Sequence, residues 1–398
     1  MTAQPIKLGV ISSYVPKKCG VATFANNLLS SMLAGSPGSE LFVIAAENGE
    51  ELAYGPEVKA VLEASKKASY AVATEQLKAY RPAAVLLQHE FGLFGGKWSD
   101  FTVDGTKHHD PTGSYLLDVV EPLRVPLITT LHTVIKDLDP GRQAALAAII
   151  DSSSRVVVMS EGSAKIIRRQ FPSARSKVAV IPHGVMVRQA REPKSVILKR
   201  LNLQPQRFYL TVTGLIGPNK NIEMILEALP KIIAEHPEVH LLVVGQTHPQ
   251  ILKQTNETYR RQLEQMARDL GVDGHVTFVN EYLSAAALLD YLAITDVYLT
   301  IHHDPQQAAS GTLANAIGNG LVCISTPYPY AKELLADGRG VLVPFNDSPA
   351  IMRAVNRLIK DKDAFRQIQR QATAYGRPMA WDRVGQAYWQ LINSAKDE

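Results

Sequence analysis

The feature that most constrains this chain is a recurring unit: a short, nearly continuous run of Val, Ile and Leu, then glycine or polar residues, then a longer helical period. In the first half the runs are IKLGVIS centred on 7–12, LFVIAA from 41, AAVLLQHE ending at Glu90, VPLITTLH ending at His132, RVVVMS ending at Ser160 and VAVIPHG from 178. In the second half they are FYLTVTG ending at Gly214, VHLLVVG ending at Gly245, VTFVN from 276, VYLTIHH from 297, VCISTP from 322 and GVLVPF from 340. Runs this uniformly apolar suit strands covered on both faces, and their alternation with helices calls for parallel sheets with crossover connections.

A chain of 398 residues exceeds what one core organises, so the expectation is α/β, with two doubly wound Rossmann-like domains facing each other across a cleft. The polar stretch VRQAREPKSVILKR, about 187–200, is read as the linker, giving domains 1–190 and 191–376. In such sheets ligands bind beyond the carboxyl ends of the strands, so the residues trailing each run are where chemistry is sought. One stretch breaks the pattern: FGLFGGKWSDFTVDGTKHHDPTG, 91–113, has neither helical nor strand period and is expected to be a mobile substrate loop.

Composition narrows the partners. Lys and Arg number 42 against 38 Asp and Glu, with no tract of five or more like charges, so no nucleic-acid partner is expected. The two cysteines, Cys19 and Cys323, are too few for a disulfide framework and point to the reducing cytoplasm. The opening MTAQPIKLGVISS enters a strand pattern without a leader's apolar region, and nowhere do about 18 apolar residues run together as a membrane helix requires.

Several strand ends carry candidate chemistry. Gly20 opens a helix after the first strand, where backbone amides can meet an anion; the sequence there is not G-x-G-x-x-G, so a dinucleotide site is not indicated. Gln88 and Glu90 end the QHEFG strand; a carboxylate at that place can accept from a sugar hydroxyl or act as a base, or can be a buried, paired structural group. His132 and His183 end two further strands, and clustering of histidines at strand ends favours a functional cleft over isolated structural residues. In GLIGPNKN, 214–221, Gly217, Asn219 and Lys220 form a turn opening a helix, from which Lys220 can reach a phosphate as a point charge or simply lie on the surface. Gln246, Glu281 and Tyr282 follow the next strands and could border a nucleotide base. In QQAASGTLANAIGNG, 306–320, Ser310, Gly311 and Thr312 offer amides and hydroxyls at a helix start, a receptor for a diphosphate or phosphate, unless the small residues serve only close packing.

Taken in order, GVATF near the N-terminus, HT at 132, PHG at 182, G-x5-K at 214–220 and STPYPYAKELLADGRGVLVPF at 325–345 resemble the GT-B glycosyltransferases of family 4, the retaining, metal-independent group. The tail with Trp381 resembles the family's last helix, which implies that 377–398 returns to the first domain. The resemblance implies a nucleotide diphosphate sugar on the second domain and a saccharide or other hydroxyl acceptor on the first, with no cofactor or metal. It places Lys220 and the amides of Gly311 and Thr312 on the diphosphate, and His132 at the donor sugar. Three positions depart from the family: Leu215 stands where an Arg is usual, and Gln307 and Asn315 replace the two carboxylates of Glu-x7-Glu. An amide still hydrogen-bonds a hydroxyl but brings no charge and cannot serve as a base. Gln307 is therefore expected on the donor sugar and Asn315 on the ribose, with mannose from a guanosine diphosphate sugar as the leading donor.

Two alternatives stand beside this reading: a phosphorylase of the same fold using inorganic phosphate, which loss of the ribose-facing carboxylate suits, and a non-catalytic glycan or nucleotide binder. Separately, AKIIRRQFPSARSK, 164–177, is basic and amphipathic, so a weak peripheral membrane contact is set against an ordinary solvated helix face.

Overall fold

Parallel strands cannot be joined by tight turns, so each run described above must be followed by a crossover, and the chain does this in two separate sheets. A computed structural model describes residues 5–103, 106–188, 192–307 and 309–396, with only the backbone described for 100–110 and Gln250. Positions 104–105 of the long loop, 189–191 of the linker stretch and Ala308 lie outside the described residues. The chain divides into one unit of residues 1–184 with 381–398 and a second unit of 185–380.

The first unit contains β1 (Lys7–Ser12), β2 (Glu40–Glu47), β3 (Val58–Glu63), β4 (Ala84–His89), β5 (Trp98–Val103), β6 (Thr106–Pro111), β7 (Leu127–Leu131), β8 (Arg155–Val158) and β9 (Val178–Val180). Seven of these form a parallel sheet in the order β3-β2-β1-β4-β7-β8-β9. The order reverses between β1 and β4, and at such a switch point the flanking crossovers diverge to opposite faces and leave a crevice at the strands' carboxyl ends. Gln88, Glu90 and His132 stand there, on β4 and just beyond β4 and β7. Two apolar clusters built on Ile44, Leu87 and Ile149 and on Leu131, Val158 and Ile167 form this unit's core.

The second unit contains β10 (Phe208–Thr213), β11 (Val239–Val244), β12 (Val276–Val279), β13 (Val297–Thr300), β14 (Val322–Ser325) and β15 (Val341–Leu342), parallel in the order β12-β11-β10-β13-β14-β15. Its switch point falls between β10 and β13. Helix Ile222–Glu235 shows how the pattern forms the layer: Ile222, Ile225, Leu226, Leu229 and Ile232 recur at helical spacing and are all fully buried against the sheet.

Three features differ from the sequence expectation, and a fourth bears on the basic segment. Strand β3 escaped notice because it is an edge strand whose residues alternate between buried and open, so its apolar run is broken. The stretch expected to be an unpatterned substrate loop contains an antiparallel hairpin, β5 with β6, in register from Trp98 opposite Pro111; lying outside the main sheet, it needs no continuous apolar run. Within the expected linker, Lys194–Arg200 is a helix that buries Ile197 and Leu198. In the basic segment, Ile167, Phe171 and Ala174 are buried in the core, and Arg168 and Lys177 donate to the carbonyls of Val178, Ile150 and Asp151. The apolar side that a membrane contact would use is thus turned inward. Among the described residues no helix is long and apolar enough to cross a membrane.

The final helix, Trp381–Lys396, packs on helix Gly20–Gly35 of the first unit. Trp389 is buried and donates its indole N–H to the Met32 carbonyl at 2.8 Å, the Tyr388 hydroxyl meets Thr130 Oγ1 at 2.8 Å, and Ser31 donates to the Trp381 carbonyl at 2.6 Å. Truncating a buried tryptophan removes a large contact area and leaves a cavity. Trp389→Ala is expected to lower unfolding stability by about 3–5 kcal/mol in urea titrations followed by circular dichroism, whereas Trp389→Phe, which keeps most of the ring, costs less; a neutral effect of both would contradict this docking.

Candidate active site

In the first unit the polar strand ends are assembled on an aromatic base. Phe24, buried on the helix after β1, meets the His132, His183 and Trp381 rings edge-on at centroid distances of 4.8, 5.1 and 5.1 Å. Gly184 lets Trp381 lie flat against the chain, since a Cβ there would stand 2.2 Å from the indole. Gln88 and His132, on adjacent strands, are joined at 2.8 Å between Oε1 and Nε2, with the His132 backbone N–H donating to the His89 carbonyl at 3.0 Å. As placed, the Gln88 oxygen accepts from Nε2–H, which leaves a lone pair on His132 Nδ1. His183 donates Nδ1–H to the Gly184 carbonyl at 2.7 Å.

Burial pushes His132 down to about 3, helped by His183 and His89, and pushes His183 and His89 each down to about 4. All three rings are therefore neutral near pH 7 and act as hydrogen-bonding groups rather than cations. Glu90 turns both oxygens onto neighbours: Oε1 accepts the Phe91 N–H at 2.8 Å and Oε2 accepts from the Thr133 hydroxyl at 2.7 Å. These bonds hold the carboxylate at the mouth of β4, beside the Gln88 and His132 strand ends. Gly20 is the first residue of its helix, behind the Cys19 N-cap, and no heavy atom lies within 4 Å of where its Cβ would be.

In the second unit the site centres on Lys220, 8% exposed, at the end of the 3-10 turn Pro218–Lys220. Its Nζ lies 3.4 Å from Thr312 Oγ1. Gly214 has φ +112°, and a Cβ on it would approach Thr312 Cγ2 at 3.0 Å and Lys220 Nζ at 3.4 Å, so only glycine leaves this space open. Thr312 belongs to helix Gly311–Gly318, whose N-cap Ser310 accepts from the Leu313 N–H at 3.2 Å. The first-turn N–H groups of Gly311 and Thr312 have no acceptor within that helix and carry its positive dipole end. Desolvation alone pushes the Lys220 ammonium down to about 8, and among the described residues no ion pair joins it to a carboxylate.

The other predicted residues are placed less decisively. Gly217 is extended at φ −167°, so the turn does not require glycine for its backbone angle. The Asn219 side chain is exposed, and its carbonyl accepts Nδ1–H of His302 at 3.0 Å. Gln307 donates to the Ala309 carbonyl at 2.6 Å within its own turn. Asn315 donates to the Gly311 carbonyl at 2.8 Å and accepts the Met186 N–H at 3.2 Å, so a ribose contact would have to use its remaining proton or lone pair. The Gln246 carbonyl accepts the Ile216 N–H at 2.8 Å, bringing the loop after β11 beside the turn that leads to Lys220, whereas Glu281 and Tyr282 are exposed after β12. His302, which sequence reasoning passed over, is 3% exposed and adjoins the turn that carries Lys220; its signal was the strand-end histidine pattern already noted at 132 and 183.

Comparison with known proteins places these halves in context. Residues 194–376 match the family described as glycosyl transferases group 1, and residues 20–189 match glycosyltransferase family 4. A D-inositol 3-phosphate glycosyltransferase of Nocardioides sp. is 24% identical over 312 residues, covering 69% of this chain and 63% of that protein. A phosphatidyl-myo-inositol mannosyltransferase of Mycolicibacterium smegmatis is 27% identical over 145 residues, 36% of this chain and 34% of that one. The chain thus spans less than two thirds of the length of both relatives. The Anabaena HepE structure in complex with UDP-glucose superposes with a TM-score of 0.69, covering 98% of this chain and 100% of that one at 15% identity, a likeness of fold.

The depressed Lys220 value carries a linkage consequence. Because the folded state lowers this pKa, the cost of burying the ammonium is felt in full below about pH 8, where it is charged in both states, and fades as pH rises toward the unfolded value. Lys220→Met is expected to raise stability at pH 7 by up to about 3 kcal/mol, with the gain shrinking by pH 10 in paired urea titrations. A destabilised methionine variant would mean that the ammonium is compensated in the free protein.

Proposed function

This chain belongs to the family 4 glycosyltransferases of the GT-B fold, and on that premise we propose that it transfers a hexose, with retention and without a metal, from a nucleotide diphosphate sugar to a saccharide or other hydroxyl acceptor. The observation that carries the proposal is the buried Lys220 ammonium, without a carboxylate partner among the described residues, beside the N-terminus of helix Gly311–Gly318. A buried cation facing amide donors is complementary to an anion, and most of all to one whose charge grows during reaction. When the glycosidic bond to the diphosphate breaks, negative charge develops on the leaving oxygen and positive charge on the anomeric carbon. Lys220 and the amides of Gly311 and Thr312 stabilise the former.

The first unit supplies sugar recognition in this reading. Neutral His132 and His183 and the Gln88 amide can exchange hydrogen bonds with hydroxyls without adding charge. Gln307 is assigned to the donor sugar, and Gln246, Glu281 and Tyr282 to the surroundings of the base. Mannose from a guanosine diphosphate sugar is the leading donor, supported by the partial similarity to a mannosyltransferase; the fold relative in complex with UDP-glucose makes uridine the main competitor. A phosphorylase using free phosphate is the second reading, favoured by the amide of Asn315 being turned to Gly311 and Met186 where a ribose-binding group would be needed.

Calorimetric titration with guanosine, uridine and adenosine diphosphates, then with inorganic phosphate, separates these readings. One nucleotide is expected to bind, with binding lost in Lys220→Ala, and that variant and His132→Ala are each expected to reduce transfer by about 100-fold or more while remaining folded. Phosphate binding alone would select the phosphorylase, and unchanged turnover in both variants would remove the site assignment.

A further inference from the structure

His302 lies two residues beyond β13 and is held from every side. Its Nδ1–H donates to the carbonyl of Asn219, the residue before Lys220, at 3.0 Å. Thr326 Oγ1 donates to the His302 carbonyl at 2.5 Å. The ring stands edge-on to Tyr328 at 5.3 Å, and the Tyr328 hydroxyl meets Thr300 Oγ1 at 2.9 Å. A carbonyl can only accept, so the bond to Asn219 fixes the proton on Nδ1 and leaves a lone pair on Nε2. That atom is buried without a partner.

The titratable groups around the ring are Lys220 from the phosphate turn, His303 from its own segment, and Tyr328 from the segment after β14, whose phenol burial keeps neutral. Desolvation first, then Lys220, and more weakly His303, hold the imidazole down to about 3 against the opposing bond to Asn219. The free protein therefore keeps a neutral, unsatisfied imidazole beside its buried ammonium. A diphosphate brings at least two negative charges, and Lys220 offers one positive charge.

We infer that His302 supplies a second positive charge on demand: an anion bound at Lys220 and the start of helix Gly311–Gly318 draws a proton from solvent onto His302 Nε2, and the resulting imidazolium neutralises the bound phosphate. This rests on the placement of the diphosphate at Lys220 proposed above. One N–H bond forms, the proton comes from bulk water or buffer, and nothing is oxidised or cleaved. The driving force is that an opposite charge nearby raises a histidine pKa. The coupling is reciprocal, so protonation strengthens phosphate binding by the same factor.

The sign follows from the free-state value. At any pH above about 3 and below the raised bound-state pKa, binding takes up a proton, and affinity increases as the solution becomes more acidic within that window. Lys220, at about 8, is already charged at pH 6.5 and contributes almost no uptake there.

The test is calorimetry of the whole chain with uridine and guanosine diphosphates at pH 6.5, in two non-phosphate buffers that differ in ionisation enthalpy. His302→Asn keeps an amide donor for the Asn219 carbonyl but cannot take a proton, and comparison with it cancels ionisation of the nucleotide's own terminal phosphate. The wild type is expected to take up about one more proton per ligand than His302→Asn, and its affinity advantage over that variant is expected to grow by up to about tenfold for each pH unit lowered. If His302→Asn does not fold, the ring 15N resonances of wild-type His302 serve instead: a change to the imidazolium pattern on adding ligand supports the role. Equal proton uptake, or a ring that stays in its neutral tautomer, overturns it while leaving Lys220-dependent nucleotide binding intact. Absence of any diphosphate binding overturns both this role and the placement on which it rests.

Discussion

The buried ammonium of Lys220, with no carboxylate partner among the described residues, governs the second unit's switch point. Removing Lys220 from water disfavours its charged state, and the neighbouring groups leave that disadvantage uncorrected. Gly214 adopts a left-handed backbone beside Nζ. Gly245 allows the end of β11 to close on it, since a Cβ at 245 would stand 1.9 Å from the Gly214 carbonyl oxygen. Ser310 caps the helix that begins beside Nζ, and His302 ties the turn carrying Lys220 to the end of β13. An acidic neighbour would have removed the strain by neutralising the lysine. With none among the described residues, a positive potential is kept in a place of low dielectric, where it acts most strongly on an incoming anion.

The first unit is built on the opposite principle. Its strand-end groups are an amide, a carboxylate tied to its neighbours and three imidazoles stripped of charge by burial. Phe24 holds two of those imidazoles and an indole with edge-on contacts, fixing orientation by packing rather than by ion pairing. Uncharged donors and acceptors in fixed directions suit the recognition of hydroxyl groups, whose demands are geometric. One sheet thus presents a cationic end and the other an end of uncharged polar groups around the tied carboxylate of Glu90, although both have the same doubly wound construction.

Most of this construction was legible in the sequence, because a fully buried parallel strand must be apolar along its length and because a short turn after it exposes the residues that follow. The elements that escaped were those where this link between pattern and position is weak. Strand β3 is half open, the β5–β6 hairpin lies outside the sheet, and the helix Lys194–Arg200 has only Ile197 and Leu198 to bury among basic residues. The basic segment around Arg168 has an amphipathic period that reports burial against its own domain. Residue type singled out Lys220, Ser310 and Gln88 as candidates because charge, a hydroxyl at a helix start and strand-end position leave local marks. The direction of an amide leaves none: that Asn315 faces Gly311 and Met186, or that His302 reaches back to Asn219, depends on contacts 129 and 83 residues apart in the chain.

The final helix bears on how such a chain comes into being. Residues 381–396 complete the first unit by covering helix Gly20–Gly35, yet they follow the whole of the second unit in the sequence. During synthesis, residues 185–380 have emerged before Trp389 can reach the Met32 carbonyl. The earlier-made sheet must therefore wait with an apolar helix face uncovered while the later-made one already has all its parts. In the order of assembly the N-terminal unit is the last to be finished, and the surface it leaves open in the interval is the one a chaperone would meet.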